Sequence, residues 1–141
     1  MQQNYKNHMR LVPLYHFITA PALLALLIGS FVNLFNSTHE TLYSASLICL
    51  ISLILISIFF LSRSFALKAQ DRAIRAEESL RHFILTNRPL DNALTLSQII
   101  ALRFASDEEF PALAQKAAAE KLSSKEIKQQ VKNWRGDYHR V

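Results

Sequence analysis

The sequence predicts an all-α membrane protein: a two-helix transmembrane hairpin whose second helix continues into a small cytoplasmic helical domain of about three further short helices. Three observations lead there. Leu11 to Ser62 is 52 residues long, with Glu40 as its only formal charge and Asn36-Ser-Thr-His-Glu-Thr41 as its only polar break. Residues 63 to 141 hold fourteen of the sixteen Lys and Arg and ten of the eleven acids, leaving that part mildly basic, at about +4. Three helix-start signatures follow one another within it. The natural divisions are a lead of residues 1–10, a hairpin of 11–65 and a helical domain of 66–141.

The lead carries Lys6 and Arg10 and no acid. Leu11 to Phe35 then gives about 25 apolar residues, more than the roughly 20 that cross a hydrocarbon core. A cleaved signal peptide is the rival reading, but the run is long for one and no small-x-small site ends it. Pro13 and Pro21 each remove a backbone donor, so a kinked or late-starting first helix is expected. Tyr5, Tyr15 and His16 stand where amphipathic rings settle at headgroup depth. For His16 a ligand or proton-handling role is the alternative, because ionisable groups inside spans are functional candidates.

Tyr43 to Ser62 is the second span, and Arg63 and Lys68 mark its exit. The connector lacks Lys and Arg while both outer flanks have them, which places both termini in the cytoplasm and the connector outside. Asn36-Ser37-Thr38 matches a glycosylation sequon but lies almost against the bilayer. So short a connector makes the helices antiparallel neighbours. Small residues at matching depth, Ala25 and Gly29 on the first and Ala45, Cys49 and Ser52 on the second, are the expected contact. The competing arrangement turns these stripes toward another subunit. Cys49, the only cysteine, reads as a packing residue.

No breaker follows until Asn87-Arg88-Pro89, so the second span is expected to run on as one long helix. Ala66, Ala69, Ala73, Ala76, Leu80 and Phe83 recur along it at alternating spacings of 3 and 4, a short heptad seam for self-association or for the helices that follow. Asp71 with Arg75 and Glu77 with Arg81 have ion-pair spacing on its flanks. Thr95 with Gln98, Ser106 with Glu109 and Ser123 with Glu126 fit the capping box, predicting helices over about 96–105, 107–121 and 124–135. Pro111 falls awkwardly inside the middle one. The apolar faces are Leu96, Ile99, Ile100 and Phe104; Phe110, Leu113, Ala114, Ala117 and Ala118; and Ile127, Val131, Trp134 and Tyr138. They are expected to close over Leu80, Phe83 and Ile84.

Chemistry is sparse. Asp107, Glu108 and Glu109 suit a helix start, where they complement its dipole. Histidines at 8, 16, 39, 82 and 139 lack ligand spacing, and no nucleophile stands beside a base, so no catalytic residue, metal or cofactor is expected. Two glycines leave no phosphate-cradling loop. A helix-turn-helix around Ser123 would lack most of its reading head. The sharpest feature is basic: Lys121, Lys125, Lys128, Lys132 and Arg135 fall within an arc of about 80° if one helix carries them all. Such a face is solvated, or it meets anionic lipid or RNA phosphates, with the flexible end from Gly136 through Tyr138, His139 and Arg140 extending the contact.

Gln2-Gln-Asn-Tyr-Lys-Asn-His8, Gln70-Asp-Arg-Ala-Ile-Arg-Ala-Glu-Glu78 with Leu80-Arg-His-Phe83, Gln98-Ile-Ile-Ala-Leu-Arg-Phe-Ala-Ser-Asp-Glu-Glu-Phe110, and Asn133-Trp-Arg135 through Asp137-Tyr-His-Arg140 resemble a family of small bacterial membrane proteins of unknown function. The resemblance covers nearly the whole chain. It implies two spans in a bacterial inner membrane and brings no catalytic residues with it. The expected role is a non-enzymatic accessory or scaffolding component of a larger membrane assembly, with the bilayer and either a membrane protein or further copies of the chain as partners. The alternative is a membrane-tethered adaptor for RNA, ribosomes or anionic lipid. An oligomeric pore, lined by His16 and Asn33, is a third class.

Overall fold

A computed structural model describes residues 3–5, 7 and 11–138. The elements are a π-helical turn Leu14–Thr19 leading into α1 (Ala20–Phe35), then α2 (Leu42–Thr86), α3 (Leu96–Leu102), α4 (Phe110–Glu120) and α5 (Ser124–Gln130). No strand occurs among the described residues, apart from one isolated bridge between Ala105 and Trp134. The chain divides into two compact units, Leu11–Ala66 and the remainder. Lys6, Arg10, His8, His139 and Arg140 lie outside the described residues.

In the first unit the two prolines shape the opening turn. Pro21 cannot donate to the carbonyl four residues back, and the backbone there takes the wider register, with Ala20 N–H donating to Tyr15 O. The turn is braced against α2: Tyr15 stacks on Phe59 at 4.0 Å, donates its hydroxyl to Phe59 O at 3.2 Å, and lies under the Arg63 guanidinium. His16 turns its Nδ1 onto the backbone of Val12, 2.9 Å from the carbonyl oxygen. The connector closes as a threonine-pinned turn, Thr38 N–H donating to Thr41 Oγ1. Ala45, Cys49 and Ser52 are buried against α1 as one stripe of α2.

The facing stripe of α1 differs from the expected one. Ala25 and Gly29 are exposed, with open space around Gly29, and the buried residue of α1 is Ser30, whose hydroxyl lies 3.0 Å from that of Ser52. Each serine also bonds a carbonyl of its own helix, Leu27 O and Cys49 O. A paired hydroxyl outranks a merely small side chain, because an apolar setting leaves an unpaired one costly.

In the second unit α2 ends at Asn87, which takes a left-handed φ of 54° after its N–H closes on Phe83 O. Two of the three capping boxes form: Thr95 with Gln98 and Ser123 with Glu126. Gln98 does more than cap. Its side-chain amide donates to Leu122 O at 2.8 Å, tying the start of α3 to the α4–α5 turn. The third box does not form: α4 starts at Phe110, so Pro111 sits in the first turn, where its missing N–H costs nothing. α5 stops at Gln130, five residues short of the expected 135, because Val131 turns extended.

The core is Leu94, Ile99, Ala101, Leu102, Ala105, Phe110, Leu113, Ala114, Ala117, Ile127 and Val131, with Trp134 against it. Leu80, Phe83 and Ile84 take no part; they are 61%, 49% and 71% exposed. Leu96 and Tyr138 are also exposed. The domain instead packs on the opposite side of α2, where Ile74 and Glu78 are buried and Arg81 and His82 half-buried.

One pH effect follows from the second capping box. The hydrogen bond with the Ser123 side chain, and then that from its backbone N–H, hold the Glu126 carboxyl below the usual carboxylate value. A carboxyl lowered on folding stabilises the fold above its unfolded pKa and loses that contribution as pH falls through the folded one. Urea stability is therefore expected to drop on acidification through the carboxylate range, with a shallower dependence in Glu126→Gln.

Candidate functional site

The described residues of the four stretches that carry the family resemblance meet in the second unit, around an extended C-terminal segment. After α5 the chain runs from Val131 to Tyr138 without helix, held by backbone and side-chain bonds on both edges. Glu109 supplies the first hold: one carboxylate oxygen accepts Lys132 N–H at 3.0 Å, the other accepts Asn133 N–H and the Asn133 side-chain amide, both at 2.9 Å. Arg135 N–H then donates to Phe104 O at 2.8 Å beside the Ala105–Trp134 bridge. Trp134 lies on Phe104 with ring centroids 4.9 Å apart. Gln3 closes the end, accepting Asp137 N–H at 2.8 Å and donating to Asp137 O at 3.1 Å.

Beneath this segment runs a chain of ion pairs. Arg81 is its hub: Nη1 meets Glu78 at 2.9 Å, Nε donates to Asp107 Oδ1 at 2.7 Å, Nη2 donates to Ala105 O at 2.7 Å, and the guanidinium covers the Phe110 ring. Glu78 is buried and also faces Arg135 at 3.8 Å. Arg103, buried over the Phe104 ring, pairs with Asp137 at 3.1 Å. The Glu77–Arg81 pair of the sequence reading is replaced by these contacts. A polar depression of about 560 Å³ opens alongside, lined by Gln3, Asn4, Asp107, Glu108, Lys132 and Arg135 among others.

The three adjacent acids thus do more than favour a helix start. Asp107 takes Arg81 and Glu109 takes the C-terminal backbone, both from the turn before α4. Their signal in the sequence was the acid run itself, but its partners lie more than twenty residues away on either side. The hold of Gln3 on Asp137 left no sequence signal.

The expected basic face is not one face. Only Lys125 and Lys128 lie on α5; Lys121 is the left-handed C-cap of α4, at φ 52°, and Lys132 and Arg135 belong to the extended segment. Lys128 is half-buried with its ammonium 5.8 Å from the Phe104 ring centre, and Arg135 leans toward Glu78. The Trp134 ring and the Glu109 carboxylate break the helix on which the stripe depended. The end expected to be flexible from Gly136 is tied down at Asp137.

Of the seam residues, Ala66 is half-buried, while Ala69, Ala73, Ala76, Leu80 and Phe83 are exposed together along α2. No cluster of three or more His, Cys, Asp or Glu with metal-holding geometry occurs among the described residues. The carboxylates of the network are committed as acceptors to guanidinium and backbone groups. Chemically the arrangement suits holding a segment in place and displaying a polar notch.

No curated protein and no solved structure matches the chain significantly. A family model matches residues 1–141, the whole length, and the chain belongs to that family of unknown function (DUF6526).

Proposed function

We propose that this protein is a two-span scaffold of a bacterial inner membrane, with both termini in the cytoplasm, where it presents its ion-paired helical domain to a larger assembly and performs no chemistry of its own. One observation carries the reading: α2 is a single helix of 45 residues that begins in the apolar sequence and ends among the domain's charged residues. Two helices are long and apolar enough to cross a membrane, Leu14–Phe35 and the first part of α2, and their large side chains, such as Leu24, Ile28, Ile51 and Ile58, point outward unburied. Hydroxyls along them bond carbonyls within their own helix, as at Ser46, Ser57 and Ser62, which suits a medium without water. The bond between Gln3 and Asp137 favours both ends on one side.

The scaffold is preferred to the adaptor, since no single helical face presents those cations. Its test is topological. In a Cys49→Ala background, Thr38→Cys in intact cells is expected to react with a membrane-impermeant thiol reagent and Ser124→Cys only after lysis. Labelling of Ser124→Cys in intact cells, or recovery of the chain without detergent, would sink it.

A further inference from the structure

We infer that the exposed face of α2 beyond the apolar span is where a second copy of this chain binds, side by side and parallel, so that the assembly is built on a homodimer; this rests on the membrane reading above. The helix has two opposite faces there. Ile74, Glu78 and Arg81 face the chain's own domain, while Ala69, Ala76 and Phe83 lie on the other side of the helix, and Ala73 and Leu80, each at the edge of a hollow shared with the domain, are exposed with them. With Ala73 and Leu80 at heptad position a, and Ala69, Ala76 and Phe83 at d, the outward set is a complete seam. The alanines let two backbones approach closely. Leu80, Phe83 and the flanking Ile84, all large and uncovered, supply the apolar area that needs a partner.

Charge says what the partner is. In this register Arg72 occupies g and Glu77 the e position five residues on, the spacing at which parallel helices exchange ion pairs across their seam. Two-fold symmetry makes the contact twice, Arg72 of each copy to Glu77 of the other. Both residues are exposed, and neither has an ion-pair partner among the described residues. An antiparallel pairing sets e against e and g against g, which forfeits the match. Copies inserted in one bilayer with one topology can only present the seam in parallel, so anchorage and charge pattern agree.

The experiment uses the full chain in native membranes, with Cys49→Ala as background and mild oxidation as the probe. Ala76→Cys, on the seam, is expected to give a covalent dimer in about fivefold greater yield than Arg75→Cys, one residue off it, because a disulfide demands Cα atoms within about 7 Å. Arg72→Glu or Glu77→Arg in the Ala76→Cys chain should each lower that yield, and the two together should restore it. Equal yields at 75 and 76, an adduct with a different protein, or a double exchange no better than the single ones would overturn the proposal. A membrane-held chain without the Ala76→Cys dimer overturns the seam alone, whereas a chain recovered in the soluble fraction overturns the membrane reading and with it the reason for parallel copies.

Discussion

Arg81→Met is expected to cost about 3–5 kcal/mol, since removing one partner leaves the other as an uncompensated buried charge. The stranded group is Glu78, whose side chain is 6% exposed. Arg135 is not a substitute at 3.8 Å from a mostly exposed position. Ala105 O and Asp107 lose their donor in the same substitution. A domain of this size has a net stability on the order of 4–10 kcal/mol, so the loss consumes much of it. Glu78→Gln/Arg81→Met is expected to be more stable than Arg81→Met alone, because the second change removes the stranded charge. Urea unfolding of the full chain in detergent, followed by the fluorescence of Trp134, its only tryptophan, measures both. A double variant less stable than the single one would show that Glu78 is not held by Arg81.

Phe104→Ala is the second large effect, at about 3–5 kcal/mol for a fully buried phenylalanine. Phe104 is 0% exposed and touches three things that matter: the Trp134 ring, the Arg103 guanidinium and the Lys128 ammonium. The loss is expected to free the C-terminal segment, shifting Trp134 emission to the red before the helices unfold. Phe83→Ala is the internal comparison. Phe83 is 49% exposed, so its removal should leave domain stability nearly unchanged and reduce only pairing between copies. Equal destabilisation by the two substitutions would contradict the placement of the core.

The elements themselves were legible because their causes are local. Apolar runs set the two long helices, Asn87 and Pro89 mark the end of α2, and the Thr95 and Ser123 boxes place the starts of α3 and α5 at the expected residues. The faces of α4 followed from spacing alone: Phe110, Leu113, Ala114 and Ala117 are all buried. Where a position had two local explanations, the sequence could not choose. Ser106 and Glu109 have capping-box spacing, yet Glu109 is taken by backbone donors more than twenty residues later, so α4 starts at Phe110 without the box.

The sequence by itself determined that the chain is helical, where α3 and α5 start, and that it divides into an apolar and a charged part, since propensity, caps and periodicity act within a few residues. Only the tertiary structure decided which faces of α1 and α2 are used. Ser30 rather than Gly29 meets α2, because Ser52 offers it a hydrogen bond. Glu78 and Arg81 rather than Leu80 and Phe83 hold the domain, because Asp107 and Ala105 O complete the guanidinium's bonding. The basic residues were dispersed when Val131 turned extended toward the pocket over Phe104. Each choice rests on a partner distant in sequence, and no periodicity of one segment encodes the position of another.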